Sequence, residues 1–183
     1  QMSRTPIISA IIQTRINQIA EFAHPVIDGE ELGFKVRLKD RSEPDDNDRE
    51  SIQKITNFLM TCGDPRTNYE INFEGFLRQI IRDSLIFDQA CFEIVKNRAG
   101  DIVSFTPVDA STIRRTRLSE KEQKKGRRDL QGKIEYVQVL DNRIVAEFGP
   151  KDLCFGIRRP RSWVEVQGYG FPELEELVRV ITS

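Results

Sequence analysis

The chain has 183 residues, of which 38% are hydrophobic and 31% charged, and its formal net charge is −1. This composition is typical of a folded, water-soluble domain with a core of its own, and it excludes a disordered chain. A charge so close to neutral excludes binding of nucleic acid or membrane by bulk electrostatics, and no apolar run approaches the roughly 20 residues that span a bilayer.

The first predicted element is an amphipathic helix over residues 6–22. Isoleucines recur along it at the spacing of one helical face, and polar residues occupy the other face. These isoleucines are Ile8, Ile11, Ile12, Ile16 and Ile19. Because the residue before a proline avoids the helical conformation, we expect the helix to end before Pro25.

A short strand and two further helices are predicted next. Residues 33–38 alternate apolar and charged side chains, which predicts a half-exposed strand. Residues 51–61 predict a helix that stops at Gly63 and turns one apolar face inward. That face consists of Ile52, Ile55, Phe58 and Leu59. Asn72 is a good N-cap, and we expect a third helix to begin there.

The second half of the chain predicts antiparallel hairpins. The strands are expected at residues 90–96, 102–108, 134–140, 143–148 and 154–157. The second hairpin turns at Asp141 and Asn142, which tolerate positive φ. Helices and hairpins are mixed without strand–helix–strand alternation, so the predicted fold class is α+β, with amphipathic helices packed on antiparallel hairpins.

Charge is distributed unevenly along the chain. An acidic run precedes the second helix and contains Glu43, Asp45, Asp46, Asp48 and Glu50. The basic residues fall in two clusters: Arg114, Arg115, Arg117, Lys124, Lys125, Arg127 and Arg128 in the first, and Arg158, Arg159 and Arg161 in the second. Such patches are candidate contacts between copies of the chain, or between the chain and phosphates, and the alternative is that each is a solvated loop.

Signatures of catalysis are lacking in the sequence. The only histidine, His24, has no cysteine or second histidine spaced to share a metal ion. Cys62, Cys91 and Cys154 are far apart in sequence and include no C-x-x-C pair, which favours buried free thiols of a reducing compartment. The sequence therefore predicts no catalytic residue, no metal site and no cofactor.

Four stretches, in chain order, resemble the portal proteins of tailed bacteriophages. The opening stretch is similar to the first helix of the portal wing and reads RTPIISAIIQTRINQIAEFA (4–23). Residues 76–114 resemble the helix, hairpin and Pro-Val-Asp-x-x-x-Ile turn that follow it. DLCFGIRRP (152–160) is similar to the next strand and basic loop, and GYGFPELEELVRVI (168–181) to a Gly-x-Gly-x-Pro-x-x-Glu helix start.

The resemblance implies a structural subunit of a ring, typically of twelve copies, at one vertex of the capsid in the virion. Double-stranded DNA passes through such a ring during packaging and ejection without being read for sequence. The implied partners are other copies of the chain, the major capsid protein, the terminase large subunit and the head-tail adaptor. The family implies assembly in the cytoplasm of the host bacterium, and no membrane, cofactor or catalytic residue.

Within this family the chain resembles mainly the wing. Residues 1–167 are expected to form a wing-like α+β domain, and residues 168–183 a hinge at Gly168 and Gly170 followed by the start of a helix leading to the stem. This last helix has an apolar stripe and ends without a cap, which predicts a cut through the junction with the stem. The stripe consists of Leu174, Leu177, Val178 and Ile181.

Two features depart from the family pattern. Phe171 stands where many members have a small residue that could cap the helix, and the basic insertion at residues 118–133 has no counterpart. A nucleic-acid-binding module that uses residues 114–128 is therefore the alternative function. Since this stretch has no interleaved aromatic residues, it would neutralise phosphates without reading sequence, and its binding would weaken steeply with salt.

Overall fold

A computed structural model describes residues 6–26, 31–39, 43–64, 72–116, 134–162, 168–172 and 175. The helices in these ranges are α1 (Pro6–Ala20), α2 (Asp46–Met60) and α3 (Phe73–Phe87), with short 3-10 helices at Glu21–Ala23 and Ala110–Thr112. The strands are β1 (Gln89–Lys96), β2 (Ile102–Val108), β3 (Ile113–Arg115), β4 (Tyr136–Leu140), β5 (Arg143–Phe148) and β6 (Leu153–Ile157).

The strands form two antiparallel sheets, which confirms the predicted α+β class. The first sheet has the order β2-β1-β6 and the second has the order β3-β4-β5. In the first sheet Cys91 pairs with both Val108 and Phe155, so the three side chains point to the same face. In the second sheet Tyr136 pairs with Phe148. These two faces meet and form the main core.

Local sequence signals account for several element boundaries. Asn72 caps α3, because its side chain accepts a hydrogen bond of 2.7 Å from the Gly75 N–H. Asp141 and Asn142 turn the β4–β5 hairpin with φ of 47° and 60°, as the sequence predicts. Gly63 follows α2 with φ of 82°, which only glycine adopts without strain.

Helix α2 begins earlier than the sequence analysis predicts. Asp45 and Asp48 form a reciprocal capping box: the Asp48 N–H donates to Asp45 Oδ1 at 2.8 Å, and the Asp45 N–H donates to Asp48 Oδ2 at 3.2 Å. The acidic residues from Asp45 to Glu50, which the sequence analysis places before the helix, therefore form its cap and first turn. Ile55, which was expected to face inward, is exposed.

Two other expectations are wrong. Residues 33–38 do not form a strand; a single bridge joins Phe34 to Pro25. On α1, Ile12 and Ile16 are buried, whereas Ile11 and Ile19 are exposed. The helical spacing placed all of them on one broad face, but α3 covers only part of it.

The elements stack in layers. Helix α1 packs on α3, and α3 packs on one face of the first sheet, where the Phe76 ring lies 5.4 Å from that of Phe92 and 4.9 Å from that of Phe105. The opposite face of the first sheet packs on the second sheet. The buried side chains of this main core are Cys91, Ala110, Ile113, Phe148 and Leu153. The order of layers is α1, α3, first sheet, second sheet.

Helix α2 lies beside this stack. The Phe58 ring is 5.8 Å from that of Phe105, and the Phe105 N–H donates to the carbonyl of Cys62 at 3.1 Å. A Cβ at Gly63 would lie 2.1 Å from the Val103 carbonyl oxygen, so a glycine is required there. The turn after α2 therefore covers the outer edge of β2. None of the helices in the described ranges is long and apolar enough to cross a membrane.

Candidate functional site at the end of helix α3

A polar arrangement surrounds the buried Asp88, between α3 and β1. Asp88 is fully buried and adopts the left-handed conformation, with φ of 57° and ψ of 14°. Aspartate tolerates this conformation better than most residues. Its carboxylate lies at the C-terminal end of a helix, where the helix dipole disfavours negative charge. A buried carboxylate in this place requires positive charge close by.

Two arginines from the chain after β6 supply that charge. Arg158 Nε lies 3.5 Å from Asp88 Oδ1, and Arg159 Nε lies 3.9 Å from the same oxygen. The Arg158 N–H also donates to the Asp88 carbonyl oxygen at 3.0 Å. Breaking a buried pair of this kind is costly, because one charge is left without compensation. The contact therefore holds the chain after β6 against the end of α3.

The segment 168–172 is attached at the same place. The Phe171 N–H donates to Asp88 Oδ2 at 3.4 Å, and the Gly170 N–H donates to Gln89 Oε1 at 3.2 Å. Gln89 is itself buried and donates through Nε2 to the Ala110 carbonyl at 2.6 Å. We call the set Asp88, Gln89, Arg158, Arg159, Gly170 and Phe171 the Asp88 junction. It ties three separate parts of the chain together, residues 88–89, 158–159 and 170–171.

Glycine is required at position 170 by close packing. A Cβ there would lie 2.3 Å from the Phe87 carbonyl oxygen and 2.8 Å from that of Asp88, and backbone atoms cannot move aside cheaply. Gly168 has φ of 79°, and a Cβ on it would lie 2.7 Å from Arg115 Nη1. The structure thus gives Gly170 a packing role; the hinge at Gly168 and Gly170 stays a prediction.

Aromatic side chains complete the attachment of segment 168–172. Phe171 is buried, and the guanidinium of Arg161 lies 5.2 Å from the centre of its ring, within the range of a cation–π contact. The Tyr169 hydroxyl accepts a hydrogen bond of 2.9 Å from the Arg115 N–H. The Tyr169 ring meets the Phe155 ring edge to face, with 6.3 Å between centroids.

The structure divides the predicted basic residues. Arg158 and Arg159 pair with Asp88, Arg161 lies over Phe171, and Arg115 contacts segment 168–172, so these four come to one region. Arg114 donates through Nη1 to the carbonyls of Ser111 and Ile113, at 2.7 and 2.9 Å. Five predicted basic residues lie outside the described residues: Arg117, Lys124, Lys125, Arg127 and Arg128.

The acidic run has local partners. Beside the capping box of Asp45 and Asp48, Asp46 pairs with Arg49 at 3.3 Å, and Glu50 pairs with Lys54 at 2.6 Å. Acidic side chains are favourable in the first turn of a helix, so the run has a structural explanation. Glu43 is exposed. A contact between this run and another copy of the chain stays a prediction.

Other titratable groups are perturbed by burial rather than arranged for chemistry. Burial raises the pKa of the Cys62 thiol to about 11 and that of Cys91 to about 12. All three cysteines are free; Cys62 and Cys91 are buried as predicted, and Cys154 is half-buried. Across the described ranges, no group of three or more histidine, cysteine, aspartate or glutamate side chains could hold a metal ion.

The sequence analysis missed Asp88. Its position between a predicted helix and a predicted strand was the one local signal, since aspartate is among the few residues that end a helix in the left-handed conformation. Nothing local indicates that its partners come from residues 158–159 and 170–171. The sequence analysis identified the arginines as a charged cluster, whereas the structure pairs two of them inside the molecule.

Comparison with known proteins gives the relationship of the chain. It is 38% identical over 172 residues, or 92% of its length, to the "Probable portal protein" of Enterococcus phage phiEF24C. It is 37% identical over 180 residues, or 96% of its length, to the "Probable portal protein" of Staphylococcus phage Twort. No family model matches the chain. The predicted resemblance is confirmed, and the chain spans 29% and 30% of the lengths of these two relatives.

Proposed function

We propose that this chain is the wing-like part of a phage portal protein and that its role is structural. The observation that carries this proposal is identity of 38% and 37% to two probable portal proteins over 92% and 96% of the chain. Because the identical residues are spread over almost the whole chain, they indicate a shared fold and not only shared local motifs. In this proposal the chain is a component of the virion at the capsid vertex.

The architecture supports a structural role. A subunit that repeats around a ring has to keep one shape, because each copy meets its neighbour through the same two surfaces. Four layers packed on one another, and a polar junction between three parts of the chain, give such a shape. The proposed ring, of about twelve copies, is built by closed head-to-tail contacts. Its partners would be the major capsid protein, the terminase large subunit, the head-tail adaptor and double-stranded DNA in transit.

The Asp88 junction has a specific place in this proposal. Residues 1–167 would form the wing-like domain, and segment 168–172 would carry the chain toward the stem. Its attachment through Asp88 and Gln89 fixes where that exit lies relative to α3 and β1. The wing and the following helix would then keep a constant relative position in every copy of the ring.

An electrostatic contact between copies is the second part of the proposal. The acidic run 43–50 of one copy would face the basic stretch 114–128 of the next. Replacement of Arg127 and Arg128 by glutamate should weaken ring assembly and leave the fold of the isolated chain intact. Arg98→Glu, at an exposed loop position, is the matched control. Assembly that is unaffected by the double reversal would exclude the contact.

The proposed function can be tested with a chimaera. The matching segment of the Twort protein is replaced by this chain, and the purified product is imaged by negative-stain electron microscopy. Rings with a central channel, equal in diameter to those of the unmodified Twort protein, are the expected result. A chimaera that is folded by circular dichroism but forms no rings, beside an unmodified protein that does, would contradict the proposal.

The nucleic-acid-binding alternative draws less support from the structure. Arg158 and Arg159 pair with a buried carboxylate, so part of the positive charge is used inside the molecule. A filter-binding titration of the isolated chain with duplex DNA at two salt concentrations separates the functions. Phosphate binding by the remaining basic stretch would give an affinity that falls steeply with salt.

A further inference from the structure

The two outermost layers of the stack both expose apolar side chains. Helix α1 lies at one end and the second sheet at the other, with α3 and the first sheet between them. On each of these layers the inward face is buried in the stack. The outward faces are therefore two different apolar surfaces at opposite ends of one molecule.

The outward face of α1 lies opposite its buried face. Ile12 and Ile16 point toward α3 and are 6% and 2% exposed. Ile7 and Ile11, which are 76% and 57% exposed, project away from α3, because five residues along a helix turn the side chain by more than a third of the circumference. Phe22, in the following 3-10 helix, is also exposed. We call Ile7, Ile11 and Phe22 the α1 outer face.

The second sheet has a comparable outward face near the tip of its hairpin. Tyr136 and Phe148 pair with each other and face the core. Strand alternation puts the half-buried Val139 on the opposite side of β4, and the register shift at residues 138–139 brings its partner Ile144 to that outer side. Ile144 is 60% exposed and Val145, the additional residue at this irregularity, is 53% exposed. We call Val139, Ile144 and Val145 the hairpin outer face.

We infer that the α1 outer face of one copy docks on the hairpin outer face of the next copy. The inference rests on the proposed function, since a ring needs two different surfaces that fit each other head to tail. The layers themselves indicate the pairing. Inside the molecule, helix α3 packs on the first sheet. In the inferred contact, helix α1 packs on the second sheet of the next copy, so the stacking of helix and sheet layers continues from one copy to the next. Exposed apolar side chains that share one face are candidates for an interaction site.

Charges next to the two faces are complementary. Arg15 on α1 and Glu21, the first residue of the 3-10 helix after α1, are both exposed, and Arg143 and Glu147 lie exposed on β5. Among the described residues, none of these four forms a salt bridge. The six residue steps from Arg15 to Glu21 span roughly 9 Å along the helix axis. The four residue steps from Arg143 to Glu147 would span roughly 13 Å in a regular strand, and the irregularity in β5 shortens this distance, so the two spacings are similar. Docking in one direction pairs Arg15 with Glu147 and Glu21 with Arg143.

The contact is tested on the isolated chain by sedimentation velocity at concentrations up to about 1 mM, where an association with a dissociation constant of that order becomes visible. The wild-type chain is expected to associate beyond dimers as concentration rises. Ile11→Asp and Ile144→Asp should each remain monomeric and keep the wild-type circular dichroism spectrum. Ile55→Asp, at an exposed apolar position on α2, is the matched control and should associate as the wild type does.

Mixing the two variants decides which faces meet. Ile11→Asp keeps an intact hairpin outer face and Ile144→Asp keeps an intact α1 outer face, so the mixture should form a one-to-one dimer that neither variant forms alone. A wild-type chain that stays monomeric, a variant that still associates, or a mixture that stays monomeric would overturn the inference. Chimaeric rings that form despite such a result would leave the proposed function standing. The proposed function fails separately, if the chimaera that carries the unmutated chain forms no rings.

Discussion

Asp88 and Arg158 join the end of helix α3 to the chain after strand β6 by two contacts. Arg158 Nε lies 3.5 Å from Asp88 Oδ1, and its backbone N–H donates to the Asp88 carbonyl at 3.0 Å. The carboxylate is fully buried, whereas the Arg158 side chain is 34% exposed. The backbone bond persists when the side chain changes, so the contribution of the charge can be measured separately.

Asp88→Asn should destabilise the fold. Asparagine accepts the left-handed conformation but removes the buried negative charge that faces the guanidinium groups of Arg158 and Arg159. Breaking a fully buried pair costs roughly 3–5 kcal/mol, and the partly exposed arginines reduce our expectation to about 2 kcal/mol. Urea denaturation measures the loss. Asp141→Asn, also at positive φ but exposed, is the control and should change stability by less than about 0.5 kcal/mol. Equal losses at the two positions would contradict an electrostatic role for Asp88.

Gly170→Ala should destabilise the attachment of segment 168–172. The added methyl would lie 2.3 Å from the Phe87 carbonyl oxygen, and such overpacking costs about 1–3 kcal/mol. We also expect faster hydrogen exchange at the Gly170 and Phe171 amides, because both hydrogen bonds depend on this close approach. In the control Gly156→Ala, the methyl would meet nothing closer than the Ala90 oxygen at 3.9 Å. A Gly170→Ala chain as stable as Gly156→Ala would refute the packing requirement.

Ionisation of the half-buried Asp83 carboxyl should lower the free energy of unfolding as pH rises. Burial raises the pKa of its carboxyl above 3.8, against the hydrogen bond that the Ala110 N–H donates to it. The folded chain therefore holds this proton more tightly than the unfolded chain. The stability that the proton contributes is present below 3.8 and is lost as pH rises through the folded pKa. Asp83→Asn should accordingly gain stability relative to wild type between about pH 3 and 7.

Asp152 provides a control of opposite sign. The hydrogen bond from Lys96 lowers the pKa of its carboxyl below 3.8, so its contribution to stability is present above 3.8 and is lost as pH falls. Relative to wild type, Asp152→Asn should lose stability over the range in which Asp83→Asn gains it. Denaturant midpoints of the three proteins across this range measure both trends. If stability relative to wild type changed with pH in the same direction for both variants, the predicted direction would be wrong for one of them.

The three cysteines should differ in reactivity. The thiolate is the reactive form, and burial raises the pKa of Cys62 to about 11 and of Cys91 to about 12, while both side chains are also inaccessible. Iodoacetamide at about pH 8 should therefore modify the half-buried Cys154 first. Peptide mass spectrometry locates the label, and the denatured chain, in which all three should react, is the control. Rapid labelling of Cys91 in the folded chain would contradict the packing of the main core.

Much of the secondary structure could be predicted because its signals are local. Asn72 at the start of α3 and Asp141–Asn142 between β4 and β5 act through hydrogen bonds and φ preferences of adjacent residues. The predicted start of α2 is too late although the signal was also local, because Asp45 and Asp48 were assigned to an acidic run that precedes the helix. The strand predicted at residues 33–38 failed for a different reason: alternation favours a strand only where a neighbouring strand can pair with it.

The candidate site was only half predictable. Arg158, Arg159 and Arg161 stood out as a charged cluster, but the carboxylate that pairs with two of them is distant in sequence. Gly170 was identified as a special glycine, yet the atoms that require it belong to Phe87 and Asp88. Exposure of Ile11 and Ile19 is a similar case, since their spacing predicts an apolar face and not which part of that face α3 covers.

The sequence by itself determined the α+β class, most helix and strand positions and the relationship to phage portal proteins, because hydrophobic periodicity, capping residues and family motifs are properties of short segments. Only the tertiary structure decided how the layers stack, which charges are buried together and which apolar faces remain outside. These depend on contacts between residues far apart in the chain, and each contact forms only when the packing of the whole domain brings both partners to the same place.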